Sequence, residues 1–363
     1  MPAALKDRYD TAYMSKLAHA IQRHHPAFET TRFKSLVFDE LWTQRELKAR
    51  MHHISGCLHD SLQRPFPEAI TVLRKAAPNF GGFEAMLFPH YVERYGQAHW
   101  DIALAALADL TQYSSSEFAV RPFILTDPEK MLAQMHLWAQ DTNPHLRRLA
   151  SEGCRPRLPW ATALPLFKQD PRPLIPILTR LRQDPSDYVR RSVANNLNDI
   201  SKDHPDITLA LSRHWWGQHP HSNWIIKHGL RTLFKQGNKD ALALVGHDKS
   251  THISHARLTL NTTQVHIGDT LTLHADITSD KEALGALRVE YRIAYLKKNG
   301  SHTSKVFHLS KGQHPGSHWH MSKQHAFRQM STRIHYPGPH SMHLIINGEE
   351  KSKVVFELLP EKE

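Results

Sequence analysis

The chain has 363 residues, enough for a full hydrophobic core and for two units of ordinary domain size. Its 46 Lys+Arg against 35 Asp+Glu give +11 and a pI near 9.6, which points to an extended polyanion, nucleic acid first, as partner. Only Cys57 and Cys154 occur, with no CxxC, so a disulfide framework is excluded; the lack of an apolar leader or of a run of about 18 apolar residues predicts a cytoplasmic protein, expected to be a monomer.

From Leu5 to Leu244 apolar residues recur every three or four positions, as in "HWDIALAALADLTQY" and "PLIPILTRLRQD", which predicts a helical domain over 1–245. It contains a repeat. "HLRRLASEGCRP" (145–156) lies over "YVRRSVANNLND" (188–199) with Arg147-Arg148 and Arg190-Arg191 in register, 43 residues apart. A third copy, "WIIKHGLRTLFK" (224–235), follows 36 residues later with Lys227 at the second basic position, and looser relatives precede at 83–96 and 114–124. Such periods, each a helix pair unable to bury its apolar face alone, predict a stacked helical solenoid.

Projection of 188–200 as a helix puts Val189, Val193, Leu197 and Ile200 on a core stripe, with Arg191, Asn195 and Asn198 opposite and Asp199 on the flank. Glu152 takes the position of Asn195 in the preceding copy. Residues 141–240 hold 16 Lys+Arg and 9 Asp+Glu, a net +7 of the chain's +11. The expected DNA-contacting set is Arg147, Arg148, Arg155, Arg157, Arg190, Arg191, Asn195, Lys202, Lys227 and Arg231, a row of cations suited to a phosphate backbone.

From about Thr251 the pattern becomes alternation: Val265, Ile267, Leu271, Leu273, Ala275 and Ile277 are apolar beside polar neighbours. Residues 251–363 are expected to form a small antiparallel sandwich, with "RVEYRIAYL" and "SKVFHL" as a hairpin around "KKNGSHT". With 14 Lys+Arg against 10 Asp+Glu, a second DNA clamp is one reading and a passive stabilising domain the other. Lys297, Lys298, Arg328 and Arg333 are candidates for the clamp.

The acids in this basic region pose the chemical question. A carboxylate facing phosphate is repelled, so Glu117, Glu152 and Asp199 either form ordinary ion pairs, such as Arg148 with Glu152, or meet a positive charge in the reaction. Cleavage of a glycosidic bond develops such a charge on the sugar. A cationic base leaves as a neutral molecule and needs no general acid.

"LTQYSSSEFAVRPFI", "LRRLASEGCRPRLPW" and "DPSDYVRRSVANNLNDISKDHPD" together resemble the successive signature blocks of AlkC-type alkylpurine DNA glycosylases, of the AlkC/AlkD HEAT-repeat family of DNA alkylation repair. The likeness runs over about residues 5–245. "TRIHYPGPHSMHLIINGE" resembles the last part of the immunoglobulin-like domain that some members carry. The resemblance implies a mainly α protein, a HEAT-like helical-repeat solenoid followed by a small all-β immunoglobulin-like sandwich. It implies base excision of cationic alkylated bases, 3-methyladenine and 3-methylcytosine, from double-stranded DNA without base flipping. It also implies no metal or cofactor, and a site made of Glu117, Glu152, Asp199 and Trp160. The alternative is a non-catalytic HEAT-repeat scaffold binding nucleic acid or protein.

Two histidine clusters, "MHHISGCLHD" and "HPGSHWHMSKQH", lack a closed zinc spacing, and no phosphate-binding GxxxxGK[ST] loop occurs. Metal and nucleotide chemistry are therefore not expected. Trp215 and Trp216 read as core residues.

Overall fold

The computed structural model describes residues 4–247, 253–281, 283–329 and 334–362. Helices occupy the first part, from Thr11–Gln22 to Lys239–Leu244, and strands follow from Ile253. None of the described helices is long and apolar enough to cross a membrane.

Two compact units form, and they do not divide where helix gives way to strand. One comprises 1–204 and 217–229; the other takes 205–216 with everything from 230 onward. The change of texture near 245–251 is a change of secondary structure, whereas a compact unit is defined by which apolar surfaces pack together.

In the first unit, the helix Asp187–Asp203 is the central element. It packs against Pro144–Glu152, Pro220–Gly229, Ile175–Leu181 and Pro165–Gln169. The predicted stripe of Val189, Val193, Leu197 and Ile200 is buried. So are Ser192, Asn196, Asn198, Asp199 and Ser201, because neighbours cover the C-terminal half of this helix on nearly every side. Asn198 is thus a buried residue and not part of an exposed polar face.

The first two repeat copies share one local device. Asp141 Oδ1 accepts from the Asn143 amide at 2.7 Å, and Asp184 Oδ1 from the Ser186 amide at 2.8 Å. Each makes the side-chain turn that precedes a helix. Arg147 then donates to the carbonyls of Asp141 and Thr142 at 3.0 and 2.8 Å, and Arg190 to those of Asp184 and Pro185 at 2.8 and 2.7 Å. The first arginine of each pair therefore clamps the loop five and six residues behind it. Arg147 also grips Asp184 of the next copy in a two-bond fork at 2.6 and 3.0 Å, stapling one repeat to the next.

The second unit is a two-sheet sandwich. Its strands are β1 (Ile253–Leu260), β2 (Gln264–His266), β3 (Thr270–Ser279), β4 (Gly285–Leu296), β5 (His302–His314), β6 (His318–Ala326), β7 (Gly338–Ile346) and β8 (Glu349–Leu359). One sheet has the order β1-β3-β6 and the other β2-β8-β7-β4-β5, antiparallel except where β2 runs parallel to β8. Val265, Ile267, Leu271, Leu273, Ala275 and Ile277 all fall in the core, as their alternation predicts. The β4–β5 hairpin forms with a tighter turn than "KKNGSHT": Leu296 already faces His302, and the Lys297 amide closes onto the Ser301 carbonyl at 2.8 Å.

Helical segments belong to this unit through close backbone contact. Gly237 has φ +70°, and a Cβ there would meet the Gly348 carbonyl oxygen at 2.7 Å. Trp215 is fully buried in the same unit. Lys297, Lys298 and Arg328 are exposed, and Arg333 lies outside the described residues.

Candidate active site

Three elements of the first unit supply the carboxylates. Glu117 sits in the turn before the helix Arg121–Thr126, Glu152 is the last residue of Pro144–Glu152, and Asp199 projects from Asp187–Asp203. A carboxylate at a helix C-terminus meets the negative end of the helix dipole, so Glu152 needs compensation.

Two guanidiniums provide it and join the three acids into one chain. Arg155 donates through Nη1 to Glu152 Oε1 at 2.6 Å and through Nε to Asp199 Oδ2 at 2.8 Å. Arg148 donates to Ser115 Oγ and forms an ion pair with Glu117 Oε2, and its Nη2 lies 3.6 Å from Glu152 Oε1. The expected Arg148–Glu152 pair is thus present only as a long contact; the main partner of Glu152 is Arg155. Ser115 Oγ donates to Glu117 Oε2 at 2.6 Å, Lys202 Nζ to Asp199 Oδ1 at 3.0 Å, and the Arg148 guanidinium lies 5.0 Å from the Tyr188 ring centroid. Burial pushes the Arg155 pKa down, but Glu152 and Asp199 outweigh it and hold the guanidinium above its ordinary value.

Oxygen by oxygen, the acids are not equivalent. Both oxygens of Asp199 accept hydrogen bonds, one from Arg155 and one from Lys202. Glu117 Oε1 and Glu152 Oε2 accept none from the described residues. Two fixed carboxylates therefore each keep one oxygen for water or for a positive sugar. Asp199 is joined to Glu152 through Arg155.

Trp160 belongs to the loop 153–162 that also carries Arg155 and Arg157. It is 63% exposed and has φ +64°, a left-handed backbone that bulky side chains avoid. Lys48 Nζ donates to its carbonyl, and Phe83 meets its ring edge-on at 6.4 Å. An exposed aromatic on a strained, pinned corner is neither a core anchor nor a loose side chain. Trp160, Ala161 and Thr162 also form one side of a pocket of about 350 Å³ with Lys48, Phe118 and Arg121. None of the three carboxylates lines it.

The residues of the expected cationic row differ in exposure and in their partners. Arg147 and Arg190 are largely covered, their donors occupied by loop carbonyls and Asp184, and Arg155 is buried between two acids. Arg157 is half-exposed and forked onto Asp203, which it holds below the usual carboxylate range by hydrogen bonding. Arg191 is 64% exposed beside Asp187, Lys202 is half-exposed, and Lys227 is exposed. Asn195 is half-buried, and Arg231, also half-buried, lies past the end of Pro220–Gly229 in the second unit.

Sequence reasoning missed Lys48 and Arg121. Arg121 is 1% exposed and donates to the carbonyls of Thr162, Gly153 and Arg155 at 2.6, 3.1 and 3.0 Å. Lys48 lies outside the repeat copies, and Arg121, although within the looser copy 114–124, has no basic counterpart there that would mark it, since its role depends on carbonyls of a loop distant in sequence. One histidine of each cluster is engaged within the fold: His53 hydrogen-bonds the carbonyls of Leu36 and Val37, and His325 is held between the hydroxyls of Tyr291 and Tyr295.

Comparison with known proteins places both units. Residues 85–231 match the family model "DNA alkylation repair enzyme", and residues 254–360 match "Uncharacterised protein YhaZ, C-terminal Ig-like domain". The protein YhaZ of Bacillus subtilis (strain 168) is 44% identical over 357 residues, covering 98% of this chain and 99% of that one. Among solved structures, the alkylpurine DNA glycosylase AlkC of Pseudomonas fluorescens, bound to DNA containing an abasic site analog, aligns with a TM-score of 0.93 at 37% identity. The alignment covers 98% of this chain and all of that one.

Proposed function

Because this chain belongs to the family of AlkC-type alkylpurine DNA glycosylases, we propose that it excises cationic alkylated bases, 3-methyladenine and 3-methylcytosine among them, from duplex DNA by hydrolysing the N-glycosidic bond. The helical domain acts as a HEAT-like solenoid whose face carries the damaged duplex, and the immunoglobulin-like sandwich serves as a second clamp. The protein works as a monomer in the cytoplasm, without metal or cofactor, as the initiating enzyme of base excision repair.

The observation that carries this reading is the chain Glu117–Arg148–Glu152–Arg155–Asp199, with one oxygen of each glutamate left without a donor among the described residues. Glu117 and Glu152 stabilise the oxocarbenium-like sugar, and one of them orients the attacking water. Arg148 and Arg155 fix the carboxylates and limit their repulsion of nearby phosphates. Asp199 holds Arg155. The lesion stays in the stack instead of turning into a pocket, which is supported by carboxylates that do not line the pocket beside Trp160. The indole of Trp160 faces the cationic base or sugar and excludes water. Arg157, Arg191, Lys202 and Lys227 contact phosphates.

The test is release of free base from methylated duplex DNA by the purified protein with no added cofactor. Release of 3-methyladenine supports the enzyme; tight binding of that DNA without release supports a scaffold.

A further inference from the structure

Arg121 is a buried arginine that forms no ion pair among the described residues; its Nε and Nη1 donate to backbone carbonyls, while its buried Nη2 has no hydrogen-bond partner among them, so the cost of burying the cation is only partly offset. Burial lowers its pKa to about 10, so it remains a cation at neutral pH. Two of its nitrogens reach three carbonyls, of Gly153, Arg155 and Thr162, and all three belong to the loop that carries Arg155 and Trp160. That loop has few bonds of its own: the Ala161 amide reaches Leu158 O at 3.2 Å, and the Leu164 amide reaches Pro156 O at 3.1 Å.

The other end of the connection is equally fixed. Arg121 follows directly on the turn that holds Glu117, closed by the Val120 amide on Ser116 O at 3.2 Å and the Arg121 amide on Phe118 O at 3.1 Å. Gly153, the residue after Glu152, approaches this turn so closely that a Cβ would meet Val120 Cγ2 at 2.7 Å. Resting on the glycosylase reading above, we infer that Arg121 is the positioning residue of the site, the strut that sets the Glu117 turn against the loop bearing Arg155 and Trp160. It touches no reacting atom. Its role is to hold the two halves of the carboxylate chain in register, where displacement of about 1 Å is enough to cost about a hundredfold in rate.

The experiment compares Arg121→Met and Arg121→Lys with the parent in single-turnover release of 3-methyladenine at saturating enzyme, and in affinity for the same duplex. The expected result is a fall in rate of at least about tenfold for Arg121→Met with affinity held within about threefold, and partial rescue by Arg121→Lys, which can still donate to a carbonyl. A folded Arg121→Met protein that releases base at the parental rate overturns the inference, as does a loss of affinity equal to the loss of rate. Amide hydrogen exchange over 153–162 provides a readout independent of activity and is measured on both variants. If the parent itself releases no base, the glycosylase reading fails, and exchange alone decides. Faster exchange in a folded variant supports the strut, and unchanged protection contradicts it. If Arg121→Met does not fold, Arg121→Lys is compared with the parent: a smaller fall in rate at held affinity, with faster exchange over 153–162, supports the strut, and the parental rate with unchanged protection contradicts it.

Discussion

Arg155 bridges Glu152 and Asp199, taking Oε1 of the first at 2.6 Å and Oδ2 of the second at 2.8 Å, with all three side chains buried. The acids of the site are therefore held by the protein before any DNA arrives. Removing the bridge leaves two buried carboxylates, Asp199 with only Lys202 at 3.0 Å and Glu152 with only Arg148 at 3.6 Å. Arg155→Ala is expected to lose about 3–5 kcal/mol of stability, measured by urea unfolding, and to lose excision with it. An Arg155→Ala protein as stable as the parent would show that the bridge is an exposed, screened pair.

The paired arginines of the repeats divide into different tasks. Arg147→Ala strands Asp184 and is expected to cost about 3 kcal/mol; Arg190→Ala, which loses two carbonyl bonds, about 1–2 kcal/mol. Arg191→Ala should leave unfolding unchanged but reduce the slope of log K against log salt for DNA binding by about 1. A reversed pattern, with Arg147 altering the salt slope and not the stability, contradicts this division.

Trp160 combines exposure with a left-handed backbone, so its indole is dispensable for folding. Trp160→Gly relieves the strain and is expected to unfold at the parental denaturant midpoint or above it, while excision falls at least about tenfold. Destabilisation of both Trp160→Gly and Trp160→Ala by more than about 1 kcal/mol would make the residue structural.

Burial, chiefly, pushes the thiol of Cys57 up to about 11 and that of Cys154 up to about 12. At pH 8 the thiolate, the reactive form, is then roughly a thousandth or less of either residue. Native protein at pH 8 is expected to show almost no reaction with a thiol-modifying disulfide reagent, and two equivalents in denaturant. Rapid labelling of the native protein contradicts the closed packing around these residues.

Much of this was legible in the sequence because periodicity reports burial directly. The alternation from Val265 to Ile277 and the stripe from Val189 to Ile200 predict core positions that the structure buries. The structure brings Glu117, Glu152 and Asp199 into one chain from three separate motifs. What periodicity does not report is where a long side chain's donors end up. Arg147 and Arg191 belong to the same expected row of cations, yet one reaches back to loop carbonyls and the other stands in solvent. Nor does it show contacts between distant segments, so Arg121 and Lys48 passed as ordinary basic residues.

Glu152→Gln keeps the shape of the side chain and removes its charge. Excision is expected to fall at least about tenfold while DNA binding is kept or strengthened through lost repulsion. Equal single-turnover rates for mutant and parent would remove Glu152 from the mechanism.

The central claim is that fixed carboxylates, with no general acid, release only bases that are already cationic. Its most direct test is single-turnover release from matched duplexes that carry 3-methyladenine, 3-methylcytosine, hypoxanthine or uracil at one position. The two cationic bases should be released despite their different ring sizes, and the two neutral ones should remain intact. Efficient release of uracil would contradict the account, because a neutral base needs a proton donor or a leaving-group pocket in place of Glu117 and Glu152.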